Sequence, residues 1–297
     1  MKVEKYTPEY ASIKNGNLYL NSKKSFIRAL KDGFFSLKIP EDFDLSSGVK
    51  ISKKFYIDEN ENDFSEYNGY RGYKKEKDIY FDRDNYQTEH ILINKDKREQ
   101  LFPKEVNELS DKMHSIGKYI LREVLSFVGI SDLLWKDVTD SATDGGGVKW
   151  FAVNHYRSDL DFDGAPAHKD TGFITVLYCD KPGLEVYIDG QWLDVEIRQK
   201  HFLVNFGGAL ELLTKDMDTP VNAVLHRVRK YERKLHGEDR FSFAAFINPA
   251  SYRYLYQVDN NGLVAKEVIL CQDFLLEFNN KTWSDSYSDF GILKNNL

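Results

Sequence analysis

Apolar positions recur at helical spacing in the first half of the chain and alternate in the second. Between Pro103 and Val128, the residues Val106, Leu109, Met113, Ile116, Ile120, Val124 and Phe127 step by three or four and fall on one stripe of a helix. Pro103 suits the first turn, where a missing N–H is harmless, and Gly129 can end the helix in a left-handed conformation. A shorter helix is predicted over 22–31, with Ser22 as N-cap, Phe26, Ile27 and Leu30 on one face and Gly33 beyond its end. Phe34 to Ile39 then reads as a strand halted at Pro40, which has no N–H for a central ladder.

The stretch 41–100 is polar, rich in Asn, Asp, Glu and Tyr, and is expected to form helical turns and loops. Tyr70, Tyr73 and Tyr80 read there as exposed loop tyrosines in preference to pocket walls. The region 67–101 and the C-terminal tail are candidate lids, because binding residues gather on loops carried by a rigid scaffold.

After Gly145-Gly146-Gly147 the pattern changes to short strands separated by turns, as expected of a sandwich or barrel. Candidate strands are 148–156, 172–178, 184–188, 192–195, 202–206, 222–229 and 240–247. Asp189-Gly190 supplies a tight hairpin turn between two of them. From 266 onward a helix and then a covering segment are expected.

Side chains alternate across a strand, so parity assigns faces. Trp150, Ala152, Asn154 and Tyr156 share one face, and Arg240, Ser242 and Ala244 share another. His226 lies with Val224 and Val228, which points it inward. An inward Arg240 needs an anion, since an unpaired buried guanidinium is costly. Either an internal acid or a bound carboxylate, held by the Arg fork and the Ser242 hydroxyl, meets that need.

Size, composition and charge narrow the classes. The 297 residues, 41% hydrophobic and 14% aromatic, suffice for one large core or two modest ones. A single structural unit is expected, in which a mixed region 1–140 packs on a core formed by 141–297. The net charge of −6, with both signs interspersed, offers no basic stripe for a nucleic acid. No apolar run approaches the roughly 20 residues of a membrane span, and Met1 to Lys5 lack a signal-peptide apolar region, so a cytoplasmic protein is expected. Cys179 and Cys271 are too few for a disulfide framework and read as packed thiols. The oligomeric state is not legible.

The chemistry centres on His168-Lys169-Asp170. In extended chain the imidazole and carboxylate project side by side, and His226 downstream completes two His and one carboxylate. That set on one face of a metal leaves positions open and is typical of non-haem Fe(II) oxygenases. His90, His114, His155, His201 and His236 have no comparable context and read as surface or core residues.

Taken together these segments resemble the iron- and 2-oxoglutarate-dependent oxygenases of the isopenicillin N synthase-like branch. Phe26 to Phe35, ending in Gly-Phe-Phe, is similar to that family's helix-to-strand opening. Asn154-His155-Tyr156 resembles its Asn-Tyr-Tyr strand, and His168 to Tyr178 its first metal motif and following strand. Pro182 to Val195, Val204-Asn205-Phe206-Gly207, His226-Arg227-Val228 and Arg240-Phe241-Ser242 follow in family order. The resemblance implies an α+β fold, a double-stranded β-helix (jelly-roll) core backed by helices from the N-terminal half. It implies Fe(II) on His168, Asp170 and His226, with Arg240 and Ser242 gripping the distal carboxylate of 2-oxoglutarate, Tyr156 assisting and Asn154 supporting the metal site.

The implied activity is oxidation of a small-molecule C–H bond by O2, giving hydroxylation, desaturation or cyclisation with release of succinate and CO2. An amino acid or secondary metabolite is the substrate the family suggests. Two departures stand out: Gly208 where the family often has Asp, and Lys215-Asp216-Met217 in place of an Asn-Gly turn. Two other readings stay open, an iron oxidase of the same branch that uses no 2-oxoglutarate and a non-catalytic jelly-roll binding protein.

Overall fold

The computed structural model describes residues 4–14, 16–58, 65–71, 79–232, 237–282 and 292. The first half runs β1 (Lys5–Tyr6), β2 (Tyr10–Lys14), β3 (Asn17–Leu20), α1 (Lys23–Asp32), β4 (Phe34–Lys38), α2 (Ser46–Ser52), β5 (Tyr80–Asp82), β6 (Thr88–Asn94), α3 (Lys95–Leu101), α4 (Lys104–Val128) and α5 (Asp132–Val138). Next come β7 (Val148–Tyr156), β8 (Ala165–His168), β9 (Ile174–Cys179), β10 (Leu184–Ile188), β11 (Gln191–Val195), β12 (His201–Phe206) and α6 (Gly208–Leu213). The chain continues through β13 (His226–Val228), β14 (Arg240–Asn248), β15 (Tyr254–Val258), β16 (Ala265–Leu270) and α7 (Cys271–Thr282).

The local signals act where the residues place them. The Ser22 side chain accepts the Ser25 N–H at 3.1 Å, and Gly33, at φ +85°, closes α1. Pro103 precedes α4 and Gly129, at φ 89°, ends it. Asp189 and Gly190, at φ 50° and 86°, make the β10–β11 turn.

Nine strands in the order β3-β2-β4-β12-β9-β14-β7-β6-β5 form the larger sheet, and β1-β11-β10-β13-β8 form the smaller. The two sheets face each other as a double-stranded β-helix, and α4 backs the larger one against β9 and β14. The α4 stripe is buried, with Val106, Met113, Ile120 and Val124 at 0% exposure. Burying each contributes about 1.5–3 kcal/mol to this interface. Gly117 lets the helix come close, because a Cβ there would lie 2.7 Å from Ile247 Cδ1.

Several expectations are corrected. The stretch 41–100 contributes β5 and β6 to the larger sheet, not only turns and loops. β6 shows no alternation because both its faces are covered, Thr88 through Ile93 being buried throughout. Tyr70 and Tyr80 are buried, not exposed: the Tyr70 hydroxyl donates to the Glu66 and Leu101 carbonyls, and that of Tyr80 to Glu89. Tyr73 and His236 lie outside the described residues. The strand expected over 222–229 pairs only at His226–Val228, while β1 to β3, β8 and the β15–β16 ribbon were not anticipated. In the tail, β16 precedes the helix, α7. Cys179 and Cys271 are buried free thiols, as expected.

Candidate metal and anion site

Register brings the two histidines together. His168 at the end of β8 and His226 at the start of β13 are direct cross-strand partners, with ring centroids 4.3 Å apart. The Nδ1–H of His168 donates to the Pro166 carbonyl at 2.8 Å and that of His226 to the Val224 carbonyl at 3.1 Å. Those bonds select the tautomer that keeps a lone pair on each Nε2. Asp170 follows with Oδ1 4.0 Å from His226 Nε2, and the three side chains present ligand atoms all within 4.8 Å of one another. Burial, and then the neighbouring His226, push the His168 imidazole well below its ordinary range, with Asp170 opposing. The ring is therefore in the neutral form that a metal requires.

The loop between the ligands is clamped. Lys169 points away from the metal set to Glu211 of α6, at 2.8 and 2.9 Å. The first turn of α6 holds the Asp170 carbonyl through the Gly208 N–H at 2.7 Å. Gly207 is required at this crossing, since a Cβ would lie 2.3 Å from the Gly172 carbonyl oxygen. Gly208, one of the departures, faces α7: a Cβ would lie 2.8 Å from Phe274 Cζ, so an Asp would collide with that ring.

Asn205 on β12 is a residue the sequence reading quoted without giving it a role. Its amide donates to Asp170 Oδ2 at 3.2 Å and holds the carboxylate so that Oδ1 faces the histidines. Parity was the available signal, since Asn205 shares its face with Leu203, which packs inside.

Opposite, on β14 and β7, lies the anion side. Arg240 is 1% exposed, its Nε donating to the Pro182 carbonyl at 3.2 Å and its guanidinium 4.6 Å from the Tyr156 ring centroid. Nη1 has no hydrogen-bond partner in the protein, and no carboxylate among the described residues forms a salt bridge with this arginine. The internal acid that parity left open is thus not in place, and a ligand carboxylate is what the site fits. Asn154 sits with this group and not at the metal ligands: its Nδ2 donates to Ser242 Oγ at 3.1 Å. With its oxygen accepting there, the Ser242 hydroxyl hydrogen is turned elsewhere, available to a ligand.

His168, Asp170, His226, Arg240, Ser242, Tyr156 and Asn154 all line one cavity, about 1160 Å³ of atom-free space including its mouth. The β6 residues Thr88, His90 and Leu92 form part of its wall, so His90 is not an ordinary surface or core residue. The α7 residues Leu275 and Phe278 line it too. The donor set, two imidazoles and one carboxylate with positions left open, fits Fe(II). His114, His155 and His201 are satisfied elsewhere, His201 by the Gln199 carbonyl at 2.8 Å. His114 bridges the Ser110 and Trp150 carbonyls, and His155 lies between Glu89 and Asp239 at 2.9 and 3.0 Å.

Residues 148–249, which carry every one of these ligand and anion residues, match the family model described as the 2OG-Fe(II) oxygenase superfamily. The chain is 30% identical over 162 residues to a 1-aminocyclopropane-1-carboxylate oxidase of Cucumis melo, covering 52% of this chain and 48% of that one. It spans about half the length of the curated relatives it matches. Among solved structures, JOX2 in complex with 2OG, Fe and JA superposes with a TM-score of 0.65 at 16% identity, covering 93% of this chain and 86% of that one. Full-length T7H of Neurospora crassa in complex with alpha-KG gives 0.59 at 19% identity, covering 90% and 99%. These structural likenesses show the jelly-roll fold.

Proposed function

We propose that this chain, whose residues 148–249 match the 2OG-Fe(II) oxygenase superfamily model, oxidises a C–H bond of a small molecule with Fe(II), 2-oxoglutarate and O2. For hydroxylation the balance is R–H plus O2 plus 2-oxoglutarate giving R–OH, succinate and CO2. The observation that carries the reading is the buried Arg240 Nη1 with no protein partner, in the same cavity as His168, Asp170 and His226. Iron bound with the keto acid and O2 supplies the oxidant.

The chain supplies everything else. His168, Asp170 and His226 hold the metal, and Asn205 fixes the carboxylate. Arg240 and Ser242 bind the far carboxylate of 2-oxoglutarate, Asn154 orients Ser242, and the Tyr156 ring supports the guanidinium. Ala165, Leu184 and Val228 surround these groups with apolar surface, which limits water and strengthens each charge interaction. A secondary metabolite as substrate, a cytoplasmic location and the packing of a 1–140 region on a 141–297 core belong to the same proposal.

Anaerobic titration of the metal-free protein with Fe(II) and then 2-oxoglutarate tests it, read by the weak visible charge-transfer band of a chelated keto acid. Wild type is expected to develop the band and His226→Ala to bind no Fe(II). Iron binding without a band favours the oxidase reading, and absence of iron binding removes the enzyme.

A further inference from the structure

The cavity wall is graded along two strands. Facing pairs of β7 and β14 run Tyr156 with Arg240, Asn154 with Ser242, Ala152 with Ala244 and Trp150 with Phe246. The first two rows are the anion grip. The third is a floor of two methyl groups, extended by Leu92 beside Ala152 and Leu177 beside Ala244. Each row advances two residues along the strand, so the alanine row lies about 7 Å and the aromatic row about 13 Å beyond Ser242.

Leu92, Trp150 and Ala152, with Phe246 packed against them, form an apolar cluster separate from the two larger cores. These side chains line the cavity, and Leu275 and Phe278 of α7 line it as well. Histidines apart, the charged side chains among the described lining residues are Lys169, Asp170 and Arg240. Lys169 is neutralised by Glu211, Asp170 belongs to the metal set and Arg240 lies two rows from the alanine floor. Nothing described at the aromatic end offers a counter-charge.

We propose that the substrate is an uncharged molecule with a flat apolar ring, seated on the Ala152–Ala244 floor against Trp150 and Phe246. A ring about as wide as one row fits between the anion grip and the aromatic pair. A charge carried into this end would lose hydration and meet no opposite charge among the described lining residues, only the neutral Thr175 beside Phe246 and Asn248 one row beyond. Assigning the first two rows to a cosubstrate rests on the function proposed above, whereas the apolar seat is a property of the wall itself.

Four probes share the phenyl ring and carry a neutral, an anionic, a cationic and a zwitterionic side chain: benzyl alcohol, phenylacetate, phenethylamine and L-phenylalanine. Ligand-observed NMR titration of the full chain carrying Arg240→Met, in which no probe carboxylate can pair with the arginine, is expected to give benzyl alcohol about a tenfold lower Kd than any charged probe. Ala244→Leu fills the floor and Trp150→Ala removes the far wall, and each is expected to weaken benzyl alcohol binding by about tenfold. Thermal melting verifies that each variant is folded, and the second variant serves if the first is not. A charged probe binding as tightly as benzyl alcohol, no binding of benzyl alcohol, or unchanged affinity in a folded variant overturns the proposal. Calorimetry of 2-oxoglutarate with the Fe(II)-loaded wild type is run separately. If the ring probe binds and 2-oxoglutarate does not, the cosubstrate reading fails while the apolar seat stands.

Discussion

Replacing Arg240 by Met separates what the guanidinium does for binding from what it does for folding. The side chain is 1% exposed, donates from Nε to one carbonyl at 3.2 Å and leaves Nη1 without a partner. A ligand carboxylate on the Arg fork gains two charge-assisted hydrogen bonds of about 1.5–3 kcal/mol each. Together they come to about 3–6 kcal/mol, or roughly two to four decades in Kd. In the ligand-free protein the same cation is a liability, partly offset by the Tyr156 ring, and Met fills similar space without desolvating a charge. Arg240→Met is therefore expected to weaken 2-oxoglutarate by about a hundredfold or more and to raise the ligand-free melting temperature by about 1–3 °C. Anaerobic calorimetry on the Fe(II)-loaded protein reads the first, and thermal melting without ligand reads the second. A Kd within about threefold of wild type, or a ligand-free melting temperature lower by more than about 5 °C, refutes the reasoning. The second result would mean that the guanidinium holds the fold and not a ligand.

Asn205→Leu removes the hydrogen bond to Asp170 Oδ2 and keeps the branched side-chain shape, so Fe(II) affinity is expected to fall about 10–100-fold in chelator competition; unchanged affinity would show that Asp170 is oriented by other means. Glu89 is fully buried, and burial alone would raise its pKa, yet bonds from His155, Arg71 and Tyr80 outweigh it and bring it from 4.5 down to about 2. A depressed folded pKa contributes stability that is present above pH 4.5 and lost as pH falls toward 2. Glu89→Gln is thus expected to cost about 2–3 kcal/mol at neutral pH, discounted because Arg71 is partly solvated. In urea unfolding the gap from wild type should shrink on going from neutral pH into the window between 4.5 and about 2, and a gap constant with pH would refute the linkage.

The candidate metal ligands were legible because they sit on local patterns. His-x-Asp puts two groups on one face whatever lies around it, and parity paired Asn154 with Tyr156 and Arg240 with Ser242, which the β7–β14 register brings into one cavity. What parity could not supply was pairing. That His168 faces His226 across a ladder follows from the register of β8 with β13, and β8 is four residues with a proline at its second position, too short to register as a strand. The resemblance gave Asn154 as support for the metal site, and parity gave it only a face shared with Tyr156; its bond to Ser242 depends on β7 lying beside β14. β6 stayed hidden for a different reason. Its residues are buried on both faces within a polar stretch, where their charges are met by distant partners, as Glu89 is by His155 and Arg71.

The two halves of the site lie on different sheets, which constrains what can join them. The metal ligands belong to β8, β13 and the loop after β8 at the smaller sheet, and Arg240 and Ser242 to β14 of the larger. Facing sheets pack about 10 Å apart, so one molecule reaching both groups must present a metal-binding end and a carboxylate end separated by a short chain. A monocarboxylate with nothing else to offer satisfies only one side. The same separation frees the rows beyond Ser242, because a ligand spanning from sheet to sheet does not run along the strands toward Trp150 and Phe246. Under the proposed function, a cosubstrate would thus occupy the cavity across its width and leave the length of β7 and β14 to select the molecule to be oxidised.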